Sequence, residues 1–334
     1  MQIKNKRIAL IGPNFFSYTE GIRLTFLKRG IFCVNFDERH SNSIIAKILY
    51  RLQIHSLFRR KRNKHLEKIF SSLVDLNISD VFLINTEAIS SQFIRLLNKN
   101  NIKVHLYLWD SIQNKKIFLD LIPYCNSLSS FEPADCKSYN MAYIPLFAED
   151  VFMQNDNREY TRKNNIVISA TMHSRRLRET LRIEDLLINS KYKLVKLLYY
   201  HSYILYLIKC LFNPGGFKFL KYLSTSSKTK KEIAFHYFRS KYVLDIHHPG
   251  QFGLTSRTFE SLRSGAYLIT SNPTYLLLPE VLKKRVIYVN DYGKLGTELS
   301  RHVPIFSRLP KKMDYFLSLD RFVDDLINLM HSKR

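Results

Sequence analysis

Short apolar runs alternate with segments of helical periodicity along the first half of the chain. Four of these runs have the length of a β-strand, and the segments between them repeat apolar residues every three or four positions. The predicted strands are Arg7–Ile11, Phe32–Phe36, Val81–Ile84 and Val104–Leu108, and the predicted helices are Gly21–Arg29, His65–Leu76 and Ile89–Lys99. Strands that are apolar at nearly every position are typical of a parallel sheet with helices on both faces.

A polar segment at residues 148–164 has no apolar periodicity, and a second alternation follows it. The predicted strands there are Ile166–Ser169, Tyr192–Leu198, Tyr242–Ile246, Ala266–Thr270 and Val286–Val289, and the predicted helices are Arg175–Leu187, Thr229–Arg239, Thr255–Ser264 and Leu319–Met330. Residues 199–227, which include Pro214-Gly215-Gly216, give no clear prediction.

The two alternations predict an α/β protein with two Rossmann-like, doubly wound domains that face a cleft. Domain boundaries fall in polar segments where few contacts cross. The predicted parts are residues 1–148, residues 149–318 and a C-terminal helix at 319–334 that packs back towards the first domain. Because ligands of such sheets bind outside the carboxyl ends of the strands, we expect the site in the cleft.

The chain is strongly basic, with 52 Lys and Arg against 28 Asp and Glu and a formal net charge of +24. A charge of this size favours anionic partners, and the run Arg59–His65 suits the phosphates of nucleic acids or of lipid headgroups. No RRM, KH or helix-turn-helix signature accompanies this run. We therefore expect no nucleic acid as partner, although a basic nucleic-acid-binding protein remains an alternative.

Targeting signals are weak in this sequence. The basic N-terminus lacks the long apolar core of a signal peptide, and the four cysteines show no C-x-x-C spacing. The most apolar stretch, Leu194–Phe212, is interrupted by Lys196, His201 and Lys209, which argues against a transmembrane helix. We expect a cytoplasmic protein that can associate peripherally with the inner membrane.

Several motifs of common enzyme classes are missing from the sequence. It has no G-x-x-x-x-G-K-S/T phosphate loop, no G-x-G-x-x-G after the first strand and no G-x-S-x-G elbow. It also lacks a tetrahedral zinc pattern and the D-x-D triplet of metal-dependent sugar transfer. We therefore expect neither a cofactor nor a metal.

The stretch Tyr242–Thr270 carries the strongest functional signal, in the order strand, loop, helix, glycine and strand. Glycines in the loop allow a ligand to approach the backbone, and Thr255 or Ser256 is placed to cap the helix. Arg257 lies in the first helical turn, where the helix dipole disfavours a cation unless an anion is bound nearby. Glu260 follows one turn later, within reach of a sugar hydroxyl.

In this stretch the chain resembles GT-B glycosyltransferases, particularly those that assemble bacterial capsule, lipopolysaccharide and O-antigen. The similar core is Arg257-Thr258-Phe259-Glu260 followed by Gly265, after His247-His248-Pro249 and Gln251–Thr255. Three further matching segments lie in the first half, at Tyr107–Asn114, Ser130–Asp135 and Ile144–Phe147. The matches occur in both halves and in the family's order, whereas residues 150–240 match only in outline.

The resemblance implies a nucleotide-sugar donor held by the second domain, without a metal. In that family pattern Glu260 binds the ribose hydroxyls, and Arg257 neutralises the diphosphate as it leaves. The other implied donor-binding residues are Gly253, Leu254, Thr255, Gln251, His248 and Arg175, with Arg176 as the second member of a basic pair. Phe252 stands where many retaining members have a glutamate, so inversion is slightly favoured.

An inverting transfer needs a general base on the acceptor side. Asp110 follows a predicted strand of the first domain, and Glu20 opens the first predicted helix, so both are candidates. The resemblance also implies a lipid-linked or polysaccharide acceptor assembled at the anionic inner-membrane surface. A non-catalytic nucleotide-sugar-binding protein is the second alternative, since it would keep the donor loop without a base.

Overall fold

The chain forms two compact units. The computed structural model describes residues 6–13, 18–41, 43, 58–154, 160–171, 174–200, 202–212, 214–222, 224–247 and 250–331. The first unit comprises Met1–Leu146 together with Leu319–Arg334, and the second comprises Phe147–Ser318.

The first unit contains a six-stranded parallel sheet in the order β2-β1-β3-β4-β5-β6. Its strands are β1 (Arg7–Gly12), β2 (Phe32–Asp37), β3 (Asp80–Ile84), β4 (Lys103–Leu108), β5 (Ser127–Ser130) and β6 (Ala142–Tyr143). Its helices are α1 (Tyr18–Lys28), α2 (Arg59–Asp75), α3 (Ser91–Lys99), α4 (Pro133–Tyr139) and the C-terminal α12 (Leu319–His331).

Helices cover both faces of this sheet, which explains why its central strands β1 and β3 are apolar at most positions. On one face Ala9 and Leu83 belong to a buried cluster with residues of α2 and α3. On the other face the ring centroid of Phe26 in α1 lies 6.1 Å from that of Phe82. The ring of Phe322 in α12 lies 5.0 Å from that of Tyr107. Continuous apolar strands are what a sheet buried on both faces requires.

The C-terminal helix α12 is tied to the first unit by charged groups as well. Arg29 donates hydrogen bonds to the carboxylates of Asp320 and Asp324 at 2.8 and 2.5 Å. Arg321 donates to the carbonyl oxygens of Pro145 and Leu146. Because the Arg321 side chain is buried, these bonds fix the start of α12 at the last residues before the second unit.

The second unit contains a five-stranded parallel sheet in the order β11-β10-β9-β7-β8. Its strands are β7 (Lys163–Thr171), β8 (Lys193–Tyr199), β9 (Ser240–Asp245), β10 (Tyr267–Thr270) and β11 (Val286–Tyr288). Its helices are α5 (Ser174–Leu187), α6 (Tyr203–Phe212), α7 (Lys230–Phe238), α8 (Ser256–Arg263), α9 (Glu280–Lys283), α10 (Leu295–Arg301) and α11 (Lys311–Leu317). The predicted α/β class with two parallel, helix-covered sheets is confirmed.

Gly265 ends α8 in a conformation that only glycine tolerates well. Its φ is +78°, and a Cβ placed on it would lie 2.2 Å from the side-chain nitrogen of Gln154. The guanidinium of Arg162 crosses the same turn and donates to the carbonyl of Ser264. The glycine of the sequence motif therefore allows a tight connection between α8 and β10.

Among the described residues, no helix combines the length and the apolar character that crossing a membrane requires.

Candidate functional site

The strand order of the second unit reverses between β7 and β9, since β8 lies on one side of β7 and β9 on the other. Ligands of doubly wound sheets bind at such a switch point, outside the carboxyl ends of the two strands. β7 ends at Thr171 and β9 at Asp245, so their ends locate the candidate donor site within this unit.

Asp245 is the centre of a buried polar cluster at this switch point. Its carboxylate accepts a hydrogen bond from Arg257 Nε at 2.8 Å and another from Thr255 Oγ1 at 2.6 Å. The Arg257 Nη1 atom lies 3.4 Å from the carbonyl oxygen of Ser169 in β7. The ion pair therefore joins the start of α8 to both strands of the switch point.

Burial and charge act in opposite directions on this ion pair. Burial alone would raise the pKa of Asp245, but the Arg257 charge and the hydrogen bonds from Thr255 and Arg257 hold it below its usual value. Burial alone would lower the pKa of Arg257, but the Asp245 carboxylate raises it above its usual value. Both groups are therefore charged at neutral pH.

Arg176 brings a second cation to the same cluster. It lies in the first turns of α5, directly after β7, and its Nη1 atom donates to the carbonyl oxygen of Thr171 at 3.1 Å. Burial, and then repulsion from Arg257, lower the pKa of Arg176 to about 10. A half-buried cation whose charged form is disfavoured by its surroundings would be stabilised by a bound anion.

The start of α8 differs from the sequence prediction in one respect. Thr255 occupies the N-cap position, but its side chain makes no hydrogen bond to the helix, because its hydroxyl donates to Asp245 instead. The predicted N-cap position is therefore confirmed for Thr255, but without a side-chain hydrogen bond to the helix. The loop before it is held by Asn272, whose side chain donates to the carbonyl oxygens of Phe252 and Gly253.

Glu260 lies on the inner side of α8, with only 7% of its surface exposed. Its charge contributes to raising the pKa of Arg257, after the larger effect of Asp245. Burial, followed by the Glu260 carboxylate, raises the pKa of the Tyr237 hydroxyl well above its usual value. The structure thus brings Glu260, Arg257 and Tyr237 together around Asp245, a residue that the sequence did not single out.

The remaining predicted donor residues have different positions. Leu254 and Gly253 are buried in the loop before α8, and Gln251 is half-buried there. Phe252, which replaces the glutamate of many retaining enzymes, is 44% exposed. Arg175 lies at the start of α5, where its side chain is outside the described part of the chain, and His248 is outside it altogether.

The sheet of the first unit has its own switch point between β1 and β3. Gly12 ends β1 there, and a Cβ on it would lie 2.5 Å from the carbonyl oxygen of Ile84, so only glycine allows this approach. Asn85 follows β3 with a positive φ of 49°. A ligand of this unit is expected beside these two strand ends.

Asp110 belongs to a chain of ion pairs at this edge of the first sheet. The Lys115 ammonium lies 3.3 Å from the Asp110 carboxylate and 2.6 Å from the Glu87 carboxylate. Arg39 contacts the other oxygen of Glu87 at 2.8 Å. The Asp110 carboxylate also accepts hydrogen bonds from the backbone of Ser111 and the side chain of Asn114. Asp110 is thereby held in a fixed orientation.

Glu20, the other candidate base, makes a two-pronged ion pair with Arg23 of the same helix, at 2.6 and 2.8 Å. The hydrogen bond from Arg23 lowers the pKa of Glu20, and the Asn35 amide adds to this effect. A lowered pKa makes a carboxylate a weaker base. Both candidate bases are thus engaged in ion pairs, Glu20 with Arg23 and Asp110 with Lys115.

Glu38 is a further buried carboxyl at this edge, and sequence analysis missed it. It is fully buried after β2 and accepts hydrogen bonds from the backbone N–H groups of Glu87 and Ala88 at 2.7–2.8 Å. Burial raises the pKa of Glu38 to about 7, although those N–H groups and Arg39 oppose the shift. An acidic residue directly after an apolar strand is the signal that could have identified it.

We expect the free energy of unfolding to fall as the pH rises from about 4.5 to 7, through the titration of Glu38. The folded state holds this proton more tightly than the unfolded state, so the stabilisation is complete below the unfolded pKa and is lost above the folded one. The shift corresponds to roughly 3 kcal/mol. Urea unfolding across this range should show a shallower pH slope for Glu38→Gln, and an unchanged slope would contradict the assignment.

In the described part of the chain, no three His, Cys, Asp or Glu side chains are grouped as metal ligands.

The fold of the chain is GT-B, as comparisons with solved structures show. HepE of Anabaena, in complex with UDP and glucose, is 7% identical with a TM-score of 0.62, covering 98% of this chain and 100% of that one. The UDP-forming α,α-trehalose-phosphate synthase of Burkholderia xenovorans, in complex with glucose-6-phosphate, is 9% identical with a TM-score of 0.60 and the same coverages.

A third similar structure is the UDP-GlcNAc 2-epimerase of Methanocaldococcus jannaschii. It is 12% identical with a TM-score of 0.52, covering 96% of this chain and 99% of that one. No protein-family model and no curated protein matches the chain. Identities this low establish the shared fold and leave the activity to be argued from the site.

Proposed function

We propose that the protein is a glycosyltransferase that moves a sugar from a nucleotide-sugar donor to an acceptor of surface-polysaccharide assembly. The observation that carries this proposal is the pair of half-buried arginines, Arg176 and Arg257, at the β7/β9 switch point of a GT-B fold. Asp245 and Glu260 hold Arg257 in this cluster, and a bound diphosphate would stabilise the charged form of Arg176, which burial and Arg257 disfavour.

The proposed reaction needs no metal. As the bond between sugar and diphosphate breaks, negative charge grows on the leaving nucleotide, and preorganised cations stabilise that charge. Arg176 is placed for this role, while Arg257 is held by Asp245 and adds a fixed positive charge. The absence of a D-x-D triplet from the sequence agrees with this assignment.

On the acceptor side we assign Asp110 as the general base of an inverting transfer. Its hydrogen bonds to Ser111 and Asn114 and its contact with Lys115 orient the carboxylate. Orientation of the base before reaction is what general-base catalysis requires. Phe252, in place of the glutamate of many retaining members, favours the same outcome.

The acceptor in this proposal is lipid-linked or a growing polysaccharide, so the enzyme works as a cytoplasmic protein bound peripherally to an anionic inner-membrane surface. The net charge of +24 supports such a partner. The similar Anabaena structure contains UDP and glucose, which makes UDP-sugars the first donors to test.

A thermal-shift screen with a panel of UDP-, GDP-, dTDP- and CMP-sugars tests the proposal, because a ligand that binds the native state raises the melting temperature. We expect one donor to raise the melting temperature. Glu260→Gln should lower the affinity for that donor by about 10- to 100-fold, because a charge-assisted hydrogen bond is lost. Glu280, an exposed acid of the same unit, gives the matched control Glu280→Gln.

The outcomes separate this proposal from its alternatives. A donor that binds without any sugar transfer or hydrolysis would identify a non-catalytic nucleotide-sugar-binding protein. If no nucleotide sugar binds, whereas duplex DNA binds with a steep salt dependence, the nucleic-acid alternative replaces the proposal.

A further inference from the structure

Helix α6 presents an apolar face to solvent in the second unit. Ile204, Ile208 and Leu211 are 69%, 45% and 70% exposed, and their spacing places them on one side of the helix. Tyr206 and Cys210, on the opposite side, are 3% and 1% exposed and belong to the buried cluster of this unit. The helix is therefore anchored on one side and uncovered on the other.

The segments packed around α6 are fixed in place by its inner side. The Tyr206 hydroxyl donates to the carbonyl oxygen of Gly216, and the Tyr206 ring contacts that of Tyr200 at 5.1 Å between centroids. The backbone of Tyr200 in turn donates to Ser224. The segments before and after α6 therefore both contact this helix. Phe217, in the segment after it, is 43% exposed.

The charge of this region is unusually one-sided. Residues 186–231 contain nine lysines and no Asp or Glu, so every charged side chain in this stretch is positive. Lys191, Lys193, Lys221 and Lys231 are exposed, whereas the exposed Lys228 pairs with Glu232 at 3.2 Å. Exposed isoleucine and leucine flanked by aromatic residues and lysines, without acids, are the composition of a surface that binds at a lipid headgroup region.

We propose that this surface, the α6 patch (Tyr203, Ile204, Ile208, Leu211, Phe217 and Lys221), docks the protein onto an anionic lipid bilayer. The inference deepens the proposed function, since it assigns the surface by which the enzyme reaches a membrane-bound acceptor. α6 is about 15 Å long, half the thickness of a bilayer core, so it lies in the plane of the headgroups. The lysines contact lipid phosphates, and the apolar face enters the acyl boundary.

Charge alone does not explain this surface. The basic run Arg59–His65 opens α2 in the first unit, and most of its side chains are exposed. That run contains no aliphatic or aromatic side chain that could enter a bilayer. The α6 patch combines both properties, so we expect it to dominate membrane affinity at physiological salt, where purely electrostatic attraction is weakened.

The test is co-sedimentation of the full chain with vesicles of phosphatidylglycerol and phosphatidylcholine, compared with phosphatidylcholine alone. We expect binding to the anionic vesicles and a loss of about tenfold in the partition coefficient for Ile204→Ser with Ile208→Ser. Val303→Ser with Ile305→Ser is the matched control, because these side chains are 81% and 73% exposed in the same unit. The control should bind as the wild type does.

A Leu211→Trp variant reports how deeply the α6 patch enters the bilayer. We expect brominated lipids to quench the fluorescence of this variant more than that of the wild type, whose single tryptophan is Trp109. Equal binding by the Ile204/Ile208 variant and the wild type would overturn the proposal. The proposal would also be overturned if the wild type were a dimer, the variant a monomer, and both bound vesicles equally. The patch would then join two copies of the chain.

Nucleotide-sugar binding, measured by thermal shift without vesicles, keeps the two proposals apart. We expect the Ile204/Ile208 variant to retain nucleotide-sugar binding, because the hydrogen bonds described for Asp245, Arg257 and Arg176 are made with residues outside α6. Vesicle binding without any nucleotide-sugar binding would overturn the proposed function and leave the α6 patch in place.

Discussion

We expect Asp245→Asn to lower the free energy of unfolding by about 3–5 kcal/mol, because it leaves the Arg257 guanidinium buried without its carboxylate. The pair is held at 2.8 Å, and only 3% of the Asp245 side chain is exposed. Asparagine keeps the size of the side chain and can still accept from Thr255, so the lost charge is the main change. Urea unfolding followed by circular dichroism measures the effect.

A double-mutant cycle attributes the loss to the ion pair itself. Asp245→Asn with Arg257→Gln removes both charges, and we expect it to be more stable than either single variant. Glu280→Gln is the control for an exposed pair, since Glu280 contacts Lys283 at 2.6 Å but is 81% exposed. That change should cost less than about 1 kcal/mol. Equal costs at Asp245 and Glu280 would contradict a structural role for the buried pair.

This ion pair changes how a variant of Arg257 is interpreted. From the sequence, Arg257 is a cation freely available to the leaving diphosphate. In the structure its Nε atom is bound to Asp245, and its loss would leave Asp245 buried and uncompensated. A loss of activity in Arg257→Ala would therefore combine misfolding with missing charge stabilisation, and it cannot test the mechanism by itself.

The apolar pattern predicted the strands because the sheets are buried on both faces. β1, β2, β9 and β10 begin and end within two residues of their predicted positions. Helix α6 was not predicted, because its outward face, with Ile204 and Leu211, is as apolar as its inward face. Without a polar side the sequence has no 3.6-residue alternation to detect. The apolar outward face of α6 therefore explains both why the helix was not predicted and why its surface is apolar.

Part of the candidate site was predictable from the sequence. Thr255, Arg257 and Glu260 stand within one segment, and the family resemblance implied Arg176, whereas the role of Asp245 was not predicted. Asp245 ends an apolar strand, and an acid at that position was a signal that sequence analysis passed over. The use of the Thr255 hydroxyl by Asp245, in place of a helix cap, depends on a tertiary contact that spacing alone does not contain.

We expect Arg176→Gln to reduce turnover by about 100- to 1,000-fold, the usual effect of removing one preorganised group that stabilises a developing negative charge. The free energy of unfolding should not fall, because burial and repulsion from Arg257 already disfavour the charged side chain in the folded protein. This combination separates Arg176 from Asp245, whose substitution is expected to lower the free energy of unfolding by about 3–5 kcal/mol. Since charge grows as the bond breaks, kcat should fall more than the affinity for donor.

The measurement compares kcat and KM for the donor found by thermal shift, alongside urea unfolding of the same preparations. Arg178→Gln is the matched control, because Arg178 lies two residues further along α5 and is exposed. This variant should have nearly the turnover and stability of the wild type, because substitution of an exposed arginine removes few contacts. If Arg176→Gln turns over as fast as this control, the diphosphate is not held by Arg176. If it instead loses several kcal/mol of stability, the arginine supports the fold, and another group must stabilise the leaving nucleotide.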